Sequence, residues 1–162
     1  MKDIHLNPKY LTDLTKKWLL PITNNEVISL TLTYKQKMFL NGMWIDLDRY
    51  IMEQNLKHFL NLVNSKVFGN GFKRYGKKLK VLTKYEYSIN QRHHNHLILE
   101  QPNRYDYLTF TKIIINSINK TQWFYNEFDI QKPTSKNRKV GWFNYIMKGN
   151  LNHSIDWNNS IL

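Results

Sequence analysis

The chain has 162 residues, 41% of them apolar and 14% aromatic, and carries a formal charge of +12. That length accommodates a single compact domain (residues 1–162) with a real core and leaves no room for a second large unit such as a helicase motor. The absence of cysteine excludes disulfides, thiol catalysis and cysteine-based zinc sites, and fits a reducing interior. No stretch has the length and apolarity of a signal peptide or a membrane span, so a soluble, intracellular protein without membrane partners is expected. The lysine excess favours a polyanionic partner, although AT-rich codons, consistent with the lack of alanine, produce part of the same excess. Tyr75, Tyr85, Tyr87 and Trp123 could stack on bases, while most aromatics in any domain belong to its core.

In chain order, Asn7 followed by Pro8 reads as the cap and first residue of a short helix that ends near Leu19, before Pro21. Residues 1–23 thus form an N-terminal helical extension to a core over about 27–149. Val27 to Thr33 alternates as a strand, with Ile28, Leu30 and Leu32 inward. Asp46 and Asp48 can cap a longer helix in which Met52, Leu56, Phe59, Leu60 and Val63 recur at helical spacing, with Gly69 and Gly71 as its stop. A basic loop follows from Lys73 to Lys80, then strands over Val81–Ile89 and His94–Leu99 joined by a turn around Asn90–Arg92. Asp106–Asn119 reads as a helix with Leu108, Ile114, Ile115 and Ile118 inward, and Trp123–Gln131 as a strand. Pro133–Lys139 reads as a basic linker and Val140–Lys148 as a last helix stopped by Gly149; residues 150–162 are a tail without a motif. This order predicts an α+β fold, an antiparallel sheet of about five strands with helices packed on it.

Three features carry chemistry. His94-Asn95-His96 sits on a strand, where side chains two apart share a face, so both imidazoles can chelate one divalent cation. The hairpin turn would bring Glu86 of the preceding strand beside them, unless Glu86 simply pairs with Lys84 or Arg92 on a solvated face. Two imidazoles and a carboxylate suit Mn²⁺ or Mg²⁺ with open positions for water and a phosphate oxygen, though imidazoles accept other metals too. His93 points to the opposite face and is excluded as a ligand. Second, Tyr145 and Lys148 are three residues apart and therefore neighbours on a helix. Val140, Phe143, Ile146 and Met147 form its buried side, and Trp142, Tyr145 and Lys148 lie opposite. Third is the strand Leu30-Thr31-Leu32-Thr33, which alone says only "strand".

In this order, the three features resemble the replication-initiator (Rep) branch of the HUH endonucleases. The resemblance rests on the Thr-containing first strand, His94 and His96 as the His-x-His pair, and Tyr145 with Lys148 as Tyr-x-x-Lys. It extends to Phe128–Gln131 and Gly141–Asn144 and covers about Val27 to Gly149. Asn95 departs from the bulky apolar residue usual between the two histidines. Relaxases carry the tyrosine ahead of the histidines, and the small HUH transposases typically have Gln in place of Lys148. The resemblance implies an HUH/RRM-like, ferredoxin-derived nuclease fold. It also implies a metal held by Glu86, His94 and His96, and Tyr145 as the single nucleophile that nicks DNA and forms a 5′-phosphotyrosine. Lys148 would position the phosphate or offset its charge.

The substrate implied is single-stranded DNA or a hairpin origin of a virus, phage or plasmid, with host replication proteins or a helicase as further partners. Lys73, Arg74, Lys77, Lys78, Lys80, Arg138 and Lys139 are candidates for contacts to the DNA backbone. Two alternatives stand beside this: an HUH transposase, and a non-catalytic RRM-like module that binds nucleic acid without metal.

Overall fold

A computed structural model describes residues 8–88, 91–148 and 154–161. The proposed cap at Asn7, the turn residue Asn90, Ile89 and the stop at Gly149 lie outside the described residues. The chain opens with helix α1 (Pro8–Leu19) and a 3-10 turn (Leu20–Asn24). It continues through strand β1 (Val27–Tyr34), a hairpin of β2 (Lys37–Leu40) and β3 (Met43–Asp46), and helices α2 (Arg49–Phe68) and α3 (Asn70–Tyr75). Strands β4 (Val81–Ser88) and β5 (Gln91–Glu100), helix α4 (Tyr107–Ile118), strand β6 (Phe124–Gln131) and helix α5 (Lys136–Ile146) complete it. β1, β4, β5 and β6 form one antiparallel sheet in the order β4-β5-β1-β6. This is the expected α+β architecture, compatible with a ferredoxin-like fold, with four strands in the central sheet where about five were anticipated. No described helix is long and apolar enough to cross a membrane.

The two sheet faces are covered differently, and this difference builds the site. Alternate residues of the strands (Ile28, Leu30, Leu32, Tyr34, Tyr85, Leu97 and Leu99) are buried in the larger core with Met52, Leu56, Phe59 and Val63 of α2 and Phe110 and Ile114 of α4. On the opposite face Val27, Leu82 and Ile98 form a smaller core with Leu19, Ile22, Phe143, Ile146 and Met147. Along β5 this second face reads Ile98, His96, His94: apolar where α1 and α5 cover it, then polar. The apolar side of α5 therefore covers one half of the face, and its Trp142 and Tyr145 rings lie against His96 in the other half, where Glu86 stays partly exposed.

Several local features differ from the sequence reading. Asp48 caps α2, accepting from the Ile51 amide at 2.7 Å, whereas Asp46 lies in β3 and pairs with Lys37. Gly69, at a φ of 53°, ends α2, but Gly71 lies inside α3, which also takes Lys73 and Arg74 out of the expected loop. Leu108 is exposed and Phe110 fills the inward position of α4, because Phe110, Ile114, Ser117 and Ile118 form the buried stripe and Leu108 lies on the other side of the helix. Ser135 caps α5, accepting from the Arg138 amide, so the helix starts at Lys136 rather than Val140, and it ends at Ile146, which leaves Lys148 beyond the helix expected to carry it.

Residues 154–161, which bear no recognisable motif, run along the outer edge of β4. Val81 and Ile161 exchange backbone hydrogen bonds, and the Asp156 amide donates to the Thr83 carbonyl. This covers an edge that would otherwise be open to pairing with another chain. The segment is pinned from below: the buried Tyr85 hydroxyl donates to Asp156, whose carboxylate also accepts from Asn159 Nδ2 at 2.7 Å. Tyr85→Phe is expected to lower the unfolding free energy by about 1–3 kcal/mol, since it strips a buried carboxylate of a donor. A urea midpoint equal to that of the parent would show that the contact contributes nothing.

Candidate functional site

Three side chains meet at the histidine half of the second face. The β4–β5 register pairs Glu86 with His94 and Lys84 with His96, and β5 pairs His96 with Thr31 of β1. Glu86 Oε2 lies 2.7 Å from His96 Nε2 and 3.3 Å from His94 Nε2. All three ligand atoms lie within 4.8 Å of one another, within the span of positions around one ion with bonds of ~2.1 Å. Glu86, His94 and His96 thus form a cluster that could hold a metal ion.

The other ring nitrogens are oriented as metal-binding histidines need. His94 Nδ1 donates to the Arg92 carbonyl at 2.9 Å, which turns Nε2 toward Glu86. His96 Nδ1 lies 3.1 Å from the Thr31 hydroxyl, which can donate or accept and so supports His96 with or without a proton on Nε2. Burial pushes the His96 imidazole below its ordinary pKa against the pull of Glu86, favouring the neutral ring that ligates cations. Burial raises the pKa of Glu86, but the hydrogen bond and charge of His96, joined by those of His94, outweigh it and hold the carboxyl below its usual range. The alternative pairing of Glu86 is not what forms. Arg92 reaches across to Glu127 at 2.8 Å, and Lys84 donates to the Lys148 carbonyl.

His93 takes the opposite face, 5.0 Å from the Tyr87 ring. Asn95 is fully buried beside it in sequence, donating to Thr83 Oγ1 at 3.2 Å. The unusual residue between the histidines therefore points away from the cluster, into the larger core.

Helix α5 brings the tyrosine to this cluster. Phe143, Ile146 and Met147 are buried against Ile98 and Leu82, with Val140 half-buried at the helix start. Tyr145, 47% exposed, comes with its ring centroid 5.5 Å from that of His96. Lys148 Nζ lies 5.5 Å from the centre of the Tyr145 ring. Trp142, expected on the solvent side, is instead half-buried between the two, 6.2 Å from His96 and 5.3 Å from Tyr145. An open cleft of about 320 Å³ is lined by Lys84, Glu86, Tyr87, Tyr145, Lys148 and Ser154.

Two lysines anchor α5, and sequence reasoning missed both roles. Lys139 is buried, and its ammonium donates to the Asn25 carbonyl at 2.8 Å and to Glu26 Oε1 at 2.9 Å. Lys139 is therefore a structural tether and not a free cation for a DNA backbone, which corrects the expectation for this residue. At the other end Lys84 ties the Lys148 carbonyl to β4. Burial lowers the pKa of the Lys84 ammonium, opposed by the Glu86 carboxylate. Alternation along β4 was the available signal, because Lys84 must share the face of Glu86.

The remaining basic candidates are exposed and stand apart from the cluster. Lys73, Arg74, Lys77, Lys78 and Lys80 precede β4, whose first residue Val81 is five positions from Glu86, about 17 Å along a strand. Arg138 is seven residues before Tyr145, about 10 Å along the helix axis. No protein-family model, curated protein or solved structure matches the chain.

Proposed function

We propose that this protein is a metal-dependent endonuclease that nicks single-stranded DNA by attack of Tyr145 and later rejoins it. The observation that carries the reading is the convergence of a Glu86–His94–His96 cluster able to hold a metal, a half-exposed tyrosine against His96, and a cleft lined by Glu86, Tyr145 and two lysines. The hairpin of β4 and β5 meets there the end of α5, which is remote from it in the chain. A metal-free binding module requires none of these pairings.

Glu86, His94 and His96 would hold a divalent ion; two imidazoles and a carboxylate accept several metals, and the resemblance to Rep proteins selects Mn²⁺ or Mg²⁺ among them. Held there, the ion would polarise the scissile phosphate and offset its growing negative charge. Tyr145 Oη attacks phosphorus, and the bond from phosphorus to the 3′-oxygen breaks as the new ester forms. The phenol loses its proton and the departing 3′-oxygen gains one, leaving a 5′-phosphotyrosine and a free 3′-hydroxyl. Lys148, two residues past the end of α5, carries its ammonium beside the Tyr145 ring and would contribute charge to the phosphate. Because the ester retains the energy of the broken bond, a 3′-hydroxyl can reverse the step and seal the strand.

The ordered set of Leu30–Thr33, His94/His96 and Tyr145/Lys148 is similar to that of Rep proteins, and supports initiation of rolling-circle replication as the biological role. Incubation with a random pool of single-stranded DNA and Mn²⁺ tests the activity. The expected result is a protein–DNA band that survives a denaturing gel and disappears with EDTA. DNA binding that is indifferent to metal, with no nick, would instead favour the RRM-like binding module.

The hydroxyl behind His96 gives a gentler probe. Thr31→Val keeps the shape of the side chain but removes the hydroxyl beside His96 Nδ1 at 3.1 Å. Mn²⁺ affinity is expected to fall about 10- to 100-fold, measured by calorimetry. Unchanged affinity would mean that Thr31 does not orient the ligand.

A further inference from the structure

The hairpin β2–β3 and the adjoining ends of β1 and β6 form a second cleft of about 460 Å³. It is lined by Lys35, Gln36, Lys37, Tyr125 and Asn126, two cations, two amides and one aromatic ring, with no carboxylate among them. Tyr125 is 37% exposed, and the Arg92 guanidinium lies over its ring at 4.2 Å. Arg92 is two residues before His94 on the same strand face, a step of about 7 Å. The cleft is thus joined to the metal cluster through Arg92 and Tyr125, at the end of the sheet opposite to the half that α5 covers. At its outer side Phe39 and Trp44 of the hairpin are 59% and 68% exposed and pack edge to face, 5.5 Å between centroids.

The charges here can be exchanged for a ligand. The Lys37–Asp46 pair is exposed on both sides, 60% and 74%, and such pairs contribute little in water. Lys35 Nζ donates to the carbonyl of Gln122, a neutral acceptor that a phosphate oxygen outcompetes. Glu127, whose carboxylate could repel a phosphate approaching along this path, is neutralised by Arg92 at 2.8 Å.

We infer that this cleft is a subsite for the single strand flanking the scissile phosphate, in which a base stacks on Tyr125 while Lys35 and Lys37 hold successive phosphates. The inference rests on the nuclease reading for its substrate. The aromatic ring is tolerant of base identity and the lysines track the backbone, so the subsite grips flanking DNA without selecting its sequence. The hairpin then serves as the outer wall, its Phe39–Trp44 platform lying where the strand leaves the protein.

Fluorescence anisotropy with a labelled oligothymidylate, in EDTA so that no cleavage occurs, separates the two ideas. The Lys35→Ala/Lys37→Ala variant is expected to flatten the dependence of log affinity on log salt by about 1.4, or 0.7 for each phosphate that a lysine no longer holds. Tyr125→Ala should weaken binding about 5- to 100-fold, and Tyr125→Phe, which preserves the ring and its packing, should bind as the parent does. Mn²⁺ affinity should be unchanged in all three variants. If the parent binds the oligonucleotide and the lysine and alanine variants match it in affinity and salt slope, the subsite is overturned while the nuclease reading stands. If the parent binds no single-stranded DNA, both fall.

Discussion

A Tyr145→Phe variant is expected to bind Mn²⁺ and single-stranded DNA as the parent does and to form no covalent adduct at all. The substitution removes only the hydroxyl. The ring keeps its edge-on contacts with His96 and Trp142, at 5.5 and 5.3 Å, and the half-exposed site forfeits no buried hydrogen bond. Stability should therefore remain within about 0.5 kcal/mol, as for surface changes in general. The cleft contains two other tyrosines, which supply the control. Tyr85 is buried with its hydroxyl committed to Asp156, and Tyr87 lies toward His93 on the far side of the strand. Tyr87→Phe should leave the adduct intact. An adduct that persists in Tyr145→Phe and vanishes in Tyr87→Phe would reassign the nucleophile.

Loss of His96 should be nearly as severe for a different reason. His96→Ala leaves Glu86 and His94 as the only candidate ligands of the cluster and removes the imidazole that lies 2.7 Å from the carboxylate with its ring centroid 5.5 Å from that of Tyr145. Mn²⁺ affinity is expected to drop by more than 100-fold, beyond what loss of an orienting partner costs. Nicking should fall by about 1,000-fold or more, because a bound cation contributes several kcal/mol to a phosphoryl-transfer barrier and each 1.36 kcal/mol is tenfold. Binding of single-stranded DNA, carried by lysines and aromatics away from the cluster, should change little. Calorimetry with Mn²⁺ and a nicking time course check these outcomes separately. Parental metal affinity in His96→Ala would exclude the cluster as the metal centre.

Much of this arrangement is legible in the sequence because it depends on period and order. Alternation in β5 puts His94 and His96 on one face, and the helical spacing of Phe143, Ile146 and Met147 turns Tyr145 outward. The antiparallel register of β4 and β5 then carries Glu86 to the pair. What the sequence reading misses depends on contacts remote in the chain or on elements too short to show a period. Asn41-Gly42, both at positive φ, is a strong two-residue hairpin signal between Lys37–Leu40 and Met43–Asp46. Those runs are four residues each and mostly exposed, so the hairpin is absent from the elements predicted between β1 and the capping aspartates. Lys139 reads as one more surface cation, and only the approach of Glu26 and Asn25 from the start of β1 shows it to be a buried tether. Residues 154–161 have no periodic pattern, because they hold the edge of β4 through backbone bonds and through Asp156 reaching Tyr85. Leu108 reads as inward by hydrophobicity alone, but the face of α4 that packs on the core carries Phe110, Ile114 and Ile118 and leaves Leu108 in solvent.

The central claim, that Tyr145 becomes covalently joined to DNA, is tested most directly by trapping the product formed with single-stranded DNA and Mn²⁺, digesting it with nuclease and protease, and mapping the modified peptide by mass spectrometry. A nucleotide attached through its 5′-phosphate to Tyr145 is the expected result. Cleaved DNA with both ends free of protein, or a nucleotide carried by any other residue, would contradict the proposed mechanism.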